Sequence, residues 1–166
     1  MARAWIGCIA CYNAGRFRGE WVDAEVAADY QPCPIPSHEE AWAYDVEGPY
    51  LKGEMSPMQV TRTAEAADQF APWPSDAVEA WLGDKGIGIA DADPDDFEEE
   101  YFGFWPSGAE FAESWAANTC CCSEMSRMLR DDWPWSYIDW DRAWRDHGGF
   151  WSAPSADGGV HVFAIR

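Results

Sequence analysis

Between Thr63 and Ser126 the chain carries fifteen acidic residues and a single base, Lys85. That stretch has a net charge of −14, against −4 for Met1–Arg62 and −1 for Arg127–Arg166, within a total of −19. A segment so charged cannot bury its polar side chains, so any fold must set its few apolar residues on one face and its acids outside. It repels itself, nucleic acid and anionic lipid, and it attracts a basic groove.

The charge does not make the chain disordered. Hydrophobic residues are 48% of it, and twelve of the 166 residues are tryptophan. Charge-driven disorder goes with few aromatics, so this reads as a folded, acid-coated protein. A halophile surface would also be acidic, but it would be acidic throughout, and here the two ends are nearly balanced. No run of 18 apolar residues offers a membrane span. The opening Met1–Cys8 is too short and too soon polar for a secretion signal, and a cytoplasmic protein is expected. The six cysteines, at 8, 11, 33, 120, 121 and 122, are poorly spaced for a disulfide framework and suit reduced thiols.

Residues Ala4–Tyr12 read as a strand and Phe17–Val22 as its hairpin partner. Asp23 is expected to cap a short helix through Ala28. Gln31–Ser37, with three prolines, reads as a loop, and Trp42–Val46 as a third strand. Ser56-Pro57-Met58-Gln59 has the layout of a helix capping box with proline in the first turn. Val60, Ala64, Ala67 and Phe70 follow at helical spacing. A helix from Ser75 to Leu82 is expected to stop at Gly83. Asp93-Pro94-Asp95-Asp96 is a strong helix start, with acids at the positive end of the helix dipole. Phe97, Tyr101 and Phe102 are expected to form that helix's apolar side. Ser107-Gly108-Ala109-Glu110 starts another helix, with Phe111 and Trp115 one turn apart. Asp139 is expected to cap a helix to Asp146, and Phe150–Ala153 with Val160–Ile165 to form a hairpin.

The fold class expected is α+β, an elongated chain of three small units. These are an N-terminal sheet-containing unit (1–62), an acidic helical middle (63–105) and a C-terminal α+β unit with a hairpin (106–166).

Chemistry-bearing patterns are weak. Asp91-Ala92-Asp93-Pro94-Asp95 places acids at calcium-loop positions 1, 3 and 5. Asp96 stands where the loop needs glycine, and Phe102 where it needs a bidentate glutamate. Cys8-Ile9-Ala10-Cys11 has metal-ligand spacing, but in a strand residues three apart face opposite ways, so no zinc site is expected there. Cys120-Cys121-Cys122 reads as a buried or half-buried helix segment. His38-Glu39-Glu40 lacks the second histidine of a zinc-protease helix. There is no nucleophile elbow, phosphate loop or dinucleotide fingerprint. No catalytic residue, metal or cofactor is therefore expected. Tryptophans able to stack on bases have no basic groove beside them, so neither nucleic acid nor membrane is an expected partner.

Several stretches resemble one family. Ile6-Gly7-Cys8-Ile9-Ala10-Cys11-Tyr12-Asn13-Ala14-Gly15, followed by Gly19-Glu20-Trp21-Val22-Asp23, resembles the opening of ArdA-type antirestriction proteins. His38-Glu39-Glu40 with Tyr44-Asp45-Val46-Glu47-Gly48 is similar to a second block of that family. Phe97–Gly103 is similar to a weaker one, and Tyr137-Ile138-Asp139-Trp140-Asp141, ending in Arg145-Asp146, to its antirestriction motif. Ile138 replaces a usual aromatic, and Arg142-Ala143-Trp144 reshuffles the motif.

The resemblance implies a mimic of bent duplex DNA that forms homodimers and occupies the DNA-binding groove of type I restriction-modification enzymes. Such proteins are carried by plasmids, transposons and phages entering a bacterial host. It also implies that carboxylates stand in for phosphates. The candidates are Glu65, Asp68, Asp76, Glu79, Asp84, Asp91, Asp93, Asp95, Asp96, Glu98, Glu99, Glu100, Glu110 and Glu113. Tyr137, Asp139, Trp140, Asp141, Trp144, Arg145 and Asp146 are the candidate dimer or motif residues. A dimer of about −38 would match the charge of roughly 65 Å of duplex. Two other readings stay open: an acidic inhibitor of another DNA-binding defence or nucleoid protein, and a hydrolase with an unrecognised site.

Overall fold

The computed structural model describes residues 2–119 and 135–166. Cys120, Cys121 and Cys122, expected in a helix segment, fall outside the described residues. The fold is α+β, with two antiparallel three-stranded sheets. The chain divides into two compact units. Met1–Ser75 with Leu82–Pro94 make the N-terminal unit, and Asp76–Trp81 with Asp95–Arg166 the C-terminal unit.

In the N-terminal unit, β1 (Arg3–Cys8) lies between β2 (Gly19–Asp23) and β3 (Ala41–Glu47), antiparallel to both. Ala4 and Ile6 on β1 and Ala43 on β3 are buried against Ala24, Ala27, Leu51, Val60 and Ala64. Arg3 and Trp5 beside Ala4, and Trp42 and Tyr44 beside Ala43, are more exposed, the alternation of a sheet covered on one face; it lapses after Ile6, where Gly7 and Cys8 are buried too. The cover is helix α2 (Pro57–Gln69) together with the 3-10 segment Ala24–Asp29. Thr61 on α2 locks the two together. Its hydroxyl donates to the Ala24 carbonyl at 2.8 Å and accepts from the Ala28 N–H at 3.1 Å. The capping box of α2 is complete: Ser56 Oγ accepts from the Gln59 N–H, and Gln59 Oε1 accepts from the Ser56 N–H.

Three expectations are corrected here. The first strand does not run to Tyr12. It stops at Cys8, and a one-and-a-half-turn helix, α1 (Ile9–Asn13), follows. The reason is local: Cys8 is the helix N-cap, its Sγ accepting from the Cys11 N–H at 3.4 Å. The segment after Asp23 is 3-10, and the Asp23 side chain makes no capping hydrogen bond. Helix α3 (Ser75–Lys85) runs through Gly83 and ends at Gly86, whose φ of +67° is the left-handed conformation that glycine adopts most easily.

In the C-terminal unit, β6 (Val160–Ala164) lies between β4 (Tyr101–Trp105) and β5 (Phe150–Pro154). The β5–β6 hairpin is as expected from sequence. β4 corrects the expectation for Tyr101 and Phe102. Helix α4 (Pro94–Glu100) ends before them; both lie in β4, where Tyr101 pairs with Phe163 of β6 and Phe102 falls in a register shift between Tyr101 and Phe104. The core is aromatic. Phe97 packs edge-on against Trp81 and Phe163. Phe111 on α5 (Gly108–Thr119) touches Phe102, Trp105, Trp144 and Phe150. Gly108 permits the approach of α6 (Trp140–Asp146), because a Cβ there would lie 2.4 Å from the Trp144 ring.

Candidate acidic surface

Helix periodicity explains which acids of α4 face out. Phe97 and Glu100, three residues apart, share the inward face and are buried. Asp95, Asp96, Glu98 and Glu99 take the outer positions and are exposed. Asp95 and Asp96 lie in the first turn, where the helix dipole favours negative charge. Four carboxylates over five residues cover about 7.5 Å of helix axis, close to one charge per 1.9 Å. Duplex DNA carries about one per 1.7 Å. Glu99 is bridged by Arg166 at 2.7 Å, with both side chains more than half exposed. An ion pair of that kind holds weakly.

The remaining candidates divide by surroundings. In the N-terminal unit, Glu65 and Asp68 on α2, Asp84 near the end of α3, and Asp91 and Asp93 are exposed. Asp91 faces Arg62 at 3.7 Å. In the C-terminal unit, Glu79 and Glu110 are exposed, and Glu113 is half-buried, accepting from Trp135 Nε1 at 3.1 Å.

Two candidates are held by internal partners. Glu100 is 4% exposed and accepts from Trp81 Nε1 at 2.7 Å. It ties α4 to α3 and presents no charge to a groove. Asp76 caps the β5–β6 turn. Its Oδ2 accepts from the Ala156 N–H at 2.9 Å and from Ser155 Oγ at 3.1 Å, and its Oδ1 lies 3.0 Å from Nε2 of buried His161. His161 Nδ1 in turn meets the Tyr101 hydroxyl at 3.0 Å. Sequence periodicity could have flagged Glu100, three residues after Phe97. Nothing local could have paired Asp76 with a turn about eighty residues away.

The Ala156 N–H, with help from His161 and Ser155, draws the Asp76 pKa down to about 2 against the opposing cost of burial. A depressed carboxylate contributes stability that is present above its unfolded value near 4 and lost as pH falls through the folded value. Asp76→Ala is therefore expected to lower stability at pH 7 by about 1–2 kcal/mol, after allowing for partial exposure. The gap between variant and parent should close between about pH 4 and pH 2. Urea unfolding across that range measures it, and a gap that persists at pH 2 would show that the carboxylate's charge is not what stabilises the turn.

The motif residues sit near α6. Asp139 is its N-cap, accepting from the Arg142 N–H at 2.9 Å, and Arg142 pairs with Asp146 at 3.3 Å. Trp144 packs on Phe111 and His147, and Trp140 stacks obliquely on Trp135. Asp141 lies in the first turn of α6 and Arg145 in the last, each matching the dipole. Tyr137 is 79% exposed.

The family model for antirestriction protein (ArdA) matches residues 4–150. The chain belongs to the ArdA antirestriction family. That match spans both units, the acidic stretch and the Tyr137–Asp146 motif, and gives the protein an antirestriction function directed at restriction-modification enzymes. ArdA is a family of inhibitors. No curated protein matches the chain. Among the described residues no helix is long and apolar enough to cross a membrane.

Proposed function

We propose that this ArdA protein acts as a DNA mimic, occupying the groove in which a type I restriction-modification enzyme holds its DNA and so blocking DNA binding and cleavage. The observation that carries this is the outer face of α4, where Asp95, Asp96, Glu98 and Glu99 approach the linear charge density of a duplex. Glu79 and Glu110 in the same unit, and Glu65, Asp68, Asp84, Asp91 and Asp93 in the other, supply further exposed carboxylates. A lysine- and arginine-lined groove that pays for its own charge by binding phosphates is attracted to such a surface by the same long-range field. The active species in this reading is a homodimer, with exposed Tyr137 and its neighbours at the contact.

The test is displacement of labelled duplex from a type I restriction-modification enzyme at low and high salt. The expected result is displacement near one dimer per DNA site, weakening steeply as salt rises. Displacement independent of salt, or none at any salt, overturns the mimicry. Equal displacement from unrelated DNA-binding proteins would instead point to general anionic competition.

A further inference from the structure

Away from the acidic surface, one cluster is used by nothing described so far. Cys8, Cys11 and Cys33 are 1%, 3% and 2% exposed and form a small core of their own, separate from the apolar core under the sheet. His38 aims its Nδ1 into the middle of them. That nitrogen is 3.6 Å from Cys8 Sγ, 3.5 Å from Cys11 Sγ and 3.5 Å from Cys33 Sγ, and Cys11 Sγ is 3.8 Å from Cys33 Sγ. All four donor atoms lie within 4.8 Å of one another.

These distances have a simple geometric meaning. In a tetrahedral zinc site with Zn–S of about 2.3 Å and Zn–N of about 2.0–2.1 Å, the S···S edge is about 3.8 Å and the S···N edge about 3.6 Å. Four of the six edges match those values, and none of the six exceeds 4.8 Å. Three thiols packed on apolar surface have no such reason to converge on one imidazole nitrogen. We propose that Cys8, Cys11, Cys33 and the Nδ1 of His38 form a tetrahedral Cys3His site that binds one zinc ion per chain.

The local structure is that of a zinc knuckle. Cys8 ends β1 and Cys11 sits in the first turn of α1, so the two sulfurs of the C-x-x-C step fall on the same side, as they could not in a continuous strand. The Cys11 N–H already points at Cys8 Sγ. The other two ligands come from the proline-rich loop between the 3-10 segment and β3. There the His38 N–H donates to the Ile35 carbonyl and Gln31 Nε2 to the His38 carbonyl. The Ile35 N–H bonds Cys33, and Arg18 Nη1 lies 3.6 Å from the same sulfur. N–H groups directed at thiolates are the usual outer support of such sites.

Three thiolates and one imidazole with no open position select a soft-tolerant tetrahedral ion and describe a structural site, not a catalytic one. Each thiol that enters as thiolate releases its proton, so binding is opposed by acid. The ion would fasten the end of β1, α1 and residues 31–38, a loop with no strand or helix of its own. Binding energy at a site like this appears as folding stability of the N-terminal unit.

The experiment uses the full chain purified without chelator. Elemental analysis is expected to give about one zinc per chain, and cobalt(II) exchange to give the intense visible bands of tetrahedral thiolate coordination. His38→Cys keeps four donors and is expected to retain the metal with a spectrum shifted towards all-sulfur ligation. His38→Ala should weaken zinc at least tenfold. The combined variant Cys120→Ser, Cys121→Ser, Cys122→Ser should hold its full equivalent. The proposal is overturned if folded, fully reduced protein takes up less than a tenth of an equivalent. It is equally overturned if the metal leaves with the Cys120–Cys122 variant, or if thiol counting finds Cys11 and Cys33 joined as a disulfide.

Discussion

Replacing Asp95, Asp96, Glu98 and Glu99 together by Asn, Asn, Gln and Gln is expected to weaken inhibition about 30-fold, while each single replacement changes it less than threefold. An exposed charge pair contributes about 0.5 kcal/mol. Four sum to about 2 kcal/mol, and 1.4 kcal/mol is a factor of ten. The same variant should also flatten the salt dependence of DNA displacement, because fewer charges meet the groove. These side chains lie outside the core, so the fold should survive. The cost is a fraction of a kcal/mol at Asp95 and Asp96, where the helix dipole loses its partners, partly offset by relief of repulsion along α4. The half-inhibitory concentration in the displacement assay, at fixed salt, is the readout. If one residue carried the whole effect, a specific contact would replace the summed field. If the quadruple variant inhibited normally, the mimicking surface would not be α4.

What could be read from sequence was what is decided locally. The α2 capping box needs only Ser56, Pro57 and Gln59, all within one turn. The outward acids of α4 follow from composition, because no core accepts a run of carboxylates. The β5–β6 hairpin is bounded by its own turn residues. What could not be read depended on partners far away. Tyr101-Phe102-Gly103-Phe104-Trp105 is apolar enough for helix or strand, and its pairing with β6, about sixty residues on, decides for strand. The aromatic run with an internal glycine was the available signal. The cysteine cluster combines a local misreading with distant partners. The C-x-x-C spacing was visible, but extending β1 through it turned the two sulfurs apart, and only the fold brings Cys33 and His38 to them. Glu100 counted as surface because it belongs to an acidic run, whereas its place one turn after Phe97 puts it inside.

The acidic helix depends on one ring. Phe97→Ala is expected to destabilise the C-terminal unit by about 3–5 kcal/mol, the usual range for truncating a fully buried phenylalanine. Phe97 is 0% exposed, with ring centroids 5.4 Å from Trp81, 5.0 Å from Tyr101 and 6.1 Å from Phe163. Such a cavity, walled by rings from α3, β4 and β6, cannot collapse without moving those elements together. The consequence reaches function because α4 has only seven residues, and a helix that short does not hold in water by itself. Its four outer charges keep their spacing only while Phe97 and Glu100 hold the inner face. Phe97→Ala should therefore lower the urea midpoint and reduce inhibition together. Phe97→Leu, which refills most of the space, should recover most of both. The quadruple charge variant is its complement, with near-normal stability and poor inhibition. If Phe97→Ala proved destabilised yet inhibited normally under conditions where it is partly unfolded, then a preformed α4 would not be needed, and a flexible polyanion would account for the inhibition as well as an ordered array of carboxylates.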